Sequence, residues 1–244
     1  MPYLSRIYLN PQRQQARRLL VNPQSLHSTV MAGILAQPVR ERVLWRLDAD
    51  NALRPSLVVL TQSRPSWEHI TEQAGWASAD NQDDPQVLVR DYRPLLDRLR
   101  AHDEFRFRLT ANPVQVSKRP GALTDAQRKR AENDMLGRSA RLGHRTVSHQ
   151  ARWLTARMER WGFDIPASSA SAAVGEMVPD MRIVGRDRLS FVHKGSSGRV
   201  VVQAVTYEGR LCVTDPDVLR ETLTNGIGPA KAYGCGLLTL APVQ

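Results

Sequence analysis

Along most of this chain apolar and polar residues alternate in short runs, and helical spacing appears in only a few places. Residues 3–9 (Tyr-Leu-Ser-Arg-Ile-Tyr-Leu) read as an opening strand. A first helix is expected within 12–36. Its second part begins at Asn22-Pro23, a capping side chain followed by proline at the first helical position. Leu26, Val30 and Ile34 then recur at helical spacing. Residues 43–48 and 56–62 read as two strands, with turn chemistry at Asp50-Asn51 between them. The polar stretch 75–90 has no period and is expected to be a loop. Tyr92 to Arg100 predicts a short helix. Glu104 to Leu109 sets Phe105, Phe107 and Leu109 against Arg106 and Arg108, the pattern of a half-exposed strand. The resulting order, β-α-β-β-α-β, is that of a ferredoxin-like unit.

Ala111-Asn112-Pro113 interrupts this pattern. The Arg-rich stretch 117–145, with Pro120-Gly121 inside it, predicts a loop that is mobile in the free protein. Residues 146–161 predict an amphipathic helix with Val147, Ala151, Leu154, Met158 and Trp161 on its apolar stripe. Gly162 ends it. The Ala/Ser-rich stretch 166–178 reads as a linker or loop. Residues 188–194 and 199–207 predict a hairpin across Gly-Ser-Ser-Gly, and a turn at Glu208-Gly209 leads to a short strand at 210–214. Asp215-Pro216 starts a helix that stops at Asn225-Gly226, and 236–240 is a last strand. The fold class expected is therefore α+β, two tandem ferredoxin-like βαββαβ domains over 1–112 and 113–244.

Charge sharpens this picture. The chain has 244 residues and 34 basic against 24 acidic side chains, a formal charge of +10. Residues 1–110 hold 15 basic and 12 acidic side chains, whereas 118–160 alone hold 11 against 4. A clustered basic stretch is the footprint of a polyanion binder, although a solvated helix face gives the same count. No apolar run approaches the ~18 residues a membrane span needs, and Arg6 interrupts any signal-peptide core. Two cysteines, Cys212 and Cys235, cannot build a disulfide framework or a Cys-rich zinc site, which fits a reducing cytoplasm.

The most specific local feature is Gly226-Ile-Gly-Pro-Ala-Lys-Ala-Tyr-Gly-Cys-Gly236, between a helix and the final strand. Gly226, Gly228 and Gly234 would let backbone amides approach a phosphate, with Lys231 adding a point charge. The same glycines would equally serve a tight helix-to-strand connection. The spacing is neither a Walker loop nor a dinucleotide fingerprint. The six histidines (27, 69, 102, 144, 149, 193) form no zinc-binding pattern, and His144 and His149 are badly spaced for one helix face. No metal or other cofactor is expected. Aromatic content of 6% and the lack of an RNP-like run argue against base stacking as the main contact. His27 lies one turn into its helix, where the positive helix end favours neutral imidazole. On a helical wheel it falls between Ile34 and Met31, inside the apolar arc, where a lone histidine is more often core than catalyst.

Residues 226–242, GIGPAKAYGCGLLTLAP, closely resemble the C-terminal motif of the CasE family, the CRISPR precursor-RNA endoribonucleases of the type I-E Cascade complex. YLSRIYLNPQRQQARRLLVNPQSLH at 3–27, RVLWRLD at 42–48, RFRLTANP at 106–113 and VVQAVTYEGRLCVTDP at 201–216 resemble the family in the same order. The resemblance implies two ferredoxin-like domains and recognition of a CRISPR repeat hairpin. It also implies one metal-independent cut at the hairpin's 3′ base by 2′-OH attack, after which the enzyme stays on the crRNA among other Cascade subunits. His27 matches the family's active-site histidine. Gln24 stands where relatives often carry tyrosine; it cannot exchange a proton but can hold a phosphate oxygen or orient water. Lys194 is the expected phosphate stabiliser, with His193 as a substitute, and Lys118 and Arg119 match a basic pair that grips the RNA stem. A-form stems are read mainly through shape and phosphates, which suits a basic loop. The alternatives are a non-catalytic RNA-binding assembly subunit, which Gln24 keeps open, and a basic DNA-binding protein. The latter is opposed by two β-rich halves without helix-turn-helix spacing.

Overall fold

The computed structural model describes residues 1–76, 85–117, 140–169, 171, 177–192 and 199–243. Its first sheet contains β1 (Tyr3–Tyr8), β2 (Leu44–Asp48), β3 (Ser56–Thr61) and β4 (Val87–Asp91), in the spatial order β2-β3-β1-β4 with every pair antiparallel. Helices α1 (Gln14–Val21) and α2 (Pro23–Ala32) cross from β1 to β2, and α3 (Glu68–Ala74) crosses from β3 to β4. This is the ferredoxin-like order, but it closes differently from the expectation. Residues 87–91, placed in a loop by their sequence, are the fourth strand. As an edge strand pairing only with β1 and half-exposed, β4 needs no strong alternation.

The strand expected to close the first unit opens the second sheet instead. After α4 (Arg93–Arg98), β5 (Glu104–Ala111) pairs with β10 (Arg199–Val213) on one side and with β11 (Leu238–Pro242) on the other. β8 (Phe163–Asp164) and β9 (Met181–Val192) both pair with β10. With helices α5 (Val147–Thr155) and α6 (Pro216–Asn225), this half repeats the ferredoxin-like strand order. A two-stranded ribbon of β6 (Val114–Ser117) and β7 (Ala140–Gly143) lies between β5 and α5 in chain order.

Two further expectations change. No turn occurs at Glu208-Gly209: β10 runs through both, and a Cβ on Gly209 would lie 2.2 Å from the Asp180 carbonyl, so glycine serves close strand packing. The predicted helix 146–161 stops at Thr155, followed by a short 3-10 turn at Glu159–Trp161. Its buried residues are Gln150, Trp153 and Leu154, while Val147 is 52% exposed.

One apolar cluster, including Ile7, Leu19, Leu26, Val30 and Trp67, fills the helix side of the first sheet. A larger one joins Phe107, Leu109, Trp153, Leu154, Tyr207 and Leu223 of the second half to Leu44 and Leu60 of the first. The two sheets are thus packed together rather than tethered.

Candidate active site

α2 is placed by several independent contacts. The Asn22 side chain accepts from the backbone N–H groups of Gln24 and Ser25, and Pro23 occupies the first turn, as the sequence predicted. Leu26, Val30 and Ile34 are buried at 2% exposure or less. His69 on α3 reaches the Thr29 carbonyl through Nε2 at 2.9 Å. A Cβ on Gly33 would strike the Trp67 ring, so the end of the helix is seated against an indole.

His27 is half-buried on this helix. Its Nδ1 is sealed from solvent and has no hydrogen-bond partner, whereas the other ring nitrogen is not enclosed in this way. Burial lowers its pKa below the ordinary imidazole value. A charged ring would have to be desolvated in this pocket, so the cation is disfavoured. The sequence anticipated neutral imidazole from the helix end; the larger cause is desolvation. The ring therefore belongs neither to the core nor to open solvent.

The glycine-rich segment 226–236 packs on the same helix through its 3-10 turn. Three consecutive residues of β2 address two points of this segment and the residue that follows it. A Cβ on Gly226 would meet the Leu44 methyls at 2.7 Å, and one on Gly234 the Trp45 ring at 2.8 Å. Arg46 donates to the Leu237 carbonyl at 3.1 Å. Gly226, Gly228, Gly234 and Gly236 all have positive φ, between 72° and 97°. Both the backbone angle and the closeness of β2 thus account for glycine at 226 and 234. Ala230 also has positive φ (66°), an unfavourable conformation for a residue with a Cβ. It precedes a single 3-10 turn, Lys231–Tyr233, that packs on both α2 and β2. The segment therefore carries Lys231 to the helix of His27. Lys231 is half-buried, and burial, with Arg42 adding repulsion, lowers its pKa.

The sequence left Arg46 without a role. Only 3% exposed, it donates to both carboxylate oxygens of Asp48, to the Arg108 and Leu237 carbonyls and to the Thr239 hydroxyl. One buried guanidinium thus ties β2 of the first sheet to β5 and β11 of the second. Arg108 continues the junction to Asp48, Asp50 and Glu208. Its hydrogen bonds hold Asp50 below the usual carboxylate range. An arginine inside an apolar strand, with aspartate two residues on along the same face, was the available signal.

Lys118, Arg119, His193 and Lys194 lie outside the described residues, as does most of the loop expected over 117–145. Among the described residues, no group of three or more His, Cys, Asp or Glu side chains could hold a metal ion. Among those residues, no helix is long and apolar enough to cross a membrane.

A family model described as "CRISPR associated protein" matches residues 2–242. The chain is 32% identical to the CRISPR-associated endoribonuclease Cse3 of Thermus thermophilus, over 98% of this chain and all of that one. It is 31% identical to the Cascade subunit CasE of Escherichia coli K12 over 56% of this chain and 57% of that one. Among solved structures, a CRISPR endoribonuclease Cse3 bound to a 19-nucleotide RNA superposes with a TM-score of 0.74 at 30% identity, covering 98% of this chain and all of the other. A Thermus thermophilus Cse3 bound to an RNA representing a pre-cleavage complex matches equally well (TM-score 0.74, 30% identity, 99% of each chain).

Proposed function

Since this chain belongs to the CRISPR-associated protein family, we propose that it is an endoribonuclease that binds a CRISPR repeat hairpin, cuts it once at the 3′ base and keeps the product within a Cascade assembly. The observation that carries this reading is that the glycine-rich turn of Lys231 packs on α2, the helix that carries the half-buried, neutral His27.

In the chemistry proposed, the ribose 2′-OH attacks the adjacent phosphorus. The P–O5′ bond breaks, giving a 2′,3′-cyclic phosphate and a 5′-OH. The open nitrogen of His27, in the tautomer whose hydrogen stands on Nδ1, takes the 2′-OH proton, and solvent water protonates the leaving 5′-oxygen. The ring's depressed basicity keeps that nitrogen unprotonated at neutral pH, and a positioned base of this kind contributes ~10²–10⁴-fold. Lys231 supplies fixed positive charge to the phosphorane, an effect that can be as large. Gln24, three residues before His27 on α2, holds a phosphate oxygen rather than moving a proton. Gly226, Gly228 and Gly234 shape the backbone beside that phosphate. Lys194, with His193 beside it, adds charge at the scissile phosphate, and Lys118 and Arg119 grip the stem. The reaction needs no metal, and the protein works in the cytoplasm. The two ferredoxin-like units divide between Asp91 and Glu104, as the strand pairing supports.

The glutamine at position 24 favours one other reading, a subunit that binds the hairpin without cutting it. Incubation with repeat RNA in EDTA separates the two. The nuclease gives a single cut with wild type, and binding without cutting with His27→Ala. Wild type that binds but never cuts is a binding subunit.

A further inference from the structure

The crossover helix of the second half carries a cationic cluster that the proposed cleavage step does not use. The rings of His144 and His149 stack, with centroids 5.8 Å apart and planes at 30°. The sequence spacing hid this, because His144 precedes α5 while His149 lies in its first turn. The pair is held from several sides. The His144 N–H donates to the Pro113 carbonyl, and its own carbonyl accepts from Gln150 Nε2 at 2.8 Å. Gln150 is 2% exposed; its Oε1 accepts from Arg186 of β9, and its carbonyl accepts from the Tyr207 hydroxyl of β10. Thr146 Oγ1 accepts from the His149 backbone and meets its Nδ1 at 2.8 Å.

The charge around this pair is one-sided. Arg157, half-buried just beyond α5, donates to the Trp153 carbonyl and lies 5.5 Å from the centre of that indole. Arg186 also donates to the Arg145 carbonyl. Among the described residues, no carboxylate forms an ion pair with Arg145, His149, Arg152, Arg157 or Arg186. Glu159, exposed on the following 3-10 turn, is the one acidic residue between positions 140 and 161. Without a counter-charge among the described residues, this half-buried guanidinium and the two imidazoles form a seat for an anion.

We infer that His144, His149 and Arg157 bind a backbone phosphate of the RNA and couple its binding to proton uptake. This rests on the reading of the chain as an RNA endoribonuclease. An RNA phosphate suits the site better than a protein carboxylate, because the cluster lies within the basic stretch 118–160 and beside the ribbon leading to Lys118 and Arg119. Burial, His149 and Arg157 together lower the pKa of His144, so the free site holds it neutral. A phosphate reverses the local field and recruits the proton.

The test uses the full chain and a repeat RNA carrying 2′-deoxyribose at the cleavage position. Affinity is measured from pH 5.5 to 8 for wild type and for the His144→Gln/His149→Gln double variant. Calorimetry in two buffers of different ionisation heat counts protons taken up. Wild-type affinity should fall by roughly 10-fold more than the variant's as pH rises, because the proton recruited on binding is then no longer supplied by the solvent. Proton uptake should be smaller in the variant. Arg157→Gln should weaken binding at every pH and reduce the salt slope by about one. Far-ultraviolet circular dichroism and thermal unfolding of the double variant, matched to wild type, report an intact fold. If wild type binds and cuts while the variant shows the same pH dependence and proton uptake, this site is wrong and the nuclease reading stands. If the variant loses affinity only for other Cascade proteins, the seat takes an acidic protein segment and the inference is overturned. Wild type that binds no RNA overturns both.

Discussion

The helices that cross from the first strand of each sheet, α2 and α5, both carry a histidine near the N-terminus, and burial makes the two histidines different reagents. His27 has one ring nitrogen sealed in a pocket without an acceptor and is pulled toward the neutral form. His149 is exposed and stacked on His144. The first arrangement suits moving a proton, the second holding an anion. Position at a helix end alone does not distinguish them. What packs against the ring does: the neighbours of α2 include α3 and the glycine-rich turn, whereas the first turn of α5 faces solvent.

The sharpest break in this comparison is removal of the charge that the glycine-rich turn brings to α2. Lys231→Met should lower the single-turnover cleavage rate by roughly 10²-fold, the scale of losing one donor at a developing oxyanion. RNA affinity should change only a few-fold, as a filter-binding titration would record. An equal loss in affinity and rate would place Lys231 in general phosphate binding instead.

Next is the clamp that joins the halves. Arg46→Met leaves Asp48 without its partner and strips the Leu237 and Arg108 carbonyls of a donor. Breaking a buried pair in this way costs about 3–5 kcal/mol, measurable by urea unfolding. A variant of wild-type stability would mean that the sheets are held by apolar packing alone.

Gly234→Ala probes the loop more locally. It forces a Cβ into the Trp45 ring at a φ of 81°. The combined cost of backbone and overpacking is about 2 kcal/mol or more, and cleavage should fall with it because Lys231 lies in the same segment. The smallest effect is in the opposite direction. Ala230→Gly relieves a left-handed alanine and should add about 1 kcal/mol of stability. No gain in thermal unfolding would show that the loop relaxes around Ala230 by other means.

Much of the fold could be read from residues with strong local chemistry. Asn22-Pro23 and Asp215-Pro216 start helices through the caps their side chains make. The alternation of Phe105, Phe107 and Leu109 is a strand in which Phe107 and Leu109 face the core. What failed was assignment to a sheet. Residues 87–91 lack alternation because an edge strand buries little, so the pattern alone assigns 104–109 to the wrong sheet. Partnership across a sheet is a long-range property, and no local pattern within 104–111 states which strands it will join.

The site shows the same division. His27 is legible through its match to the family's active-site histidine, since its helix position alone favours the core, and its chemical state depends on a pocket assembled from other elements. The glycines were visible, yet β2, nearly two hundred residues away, decides why they are glycine. Arg46 and the His144–His149 stack were missed because their partners come from distant strands or from outside the expected helix.

The most direct test is the pH profile of single-turnover repeat-RNA cleavage by wild type, measured at saturating protein in EDTA beside His27→Ala. A neutral His27 acting as base predicts a rate that rises with pH and levels off at a midpoint below the ordinary histidine value of about 6.5, with that limb absent from the residual activity of the variant. A rate that falls through this range as pH increases, or a limb that survives in His27→Ala, would contradict the account.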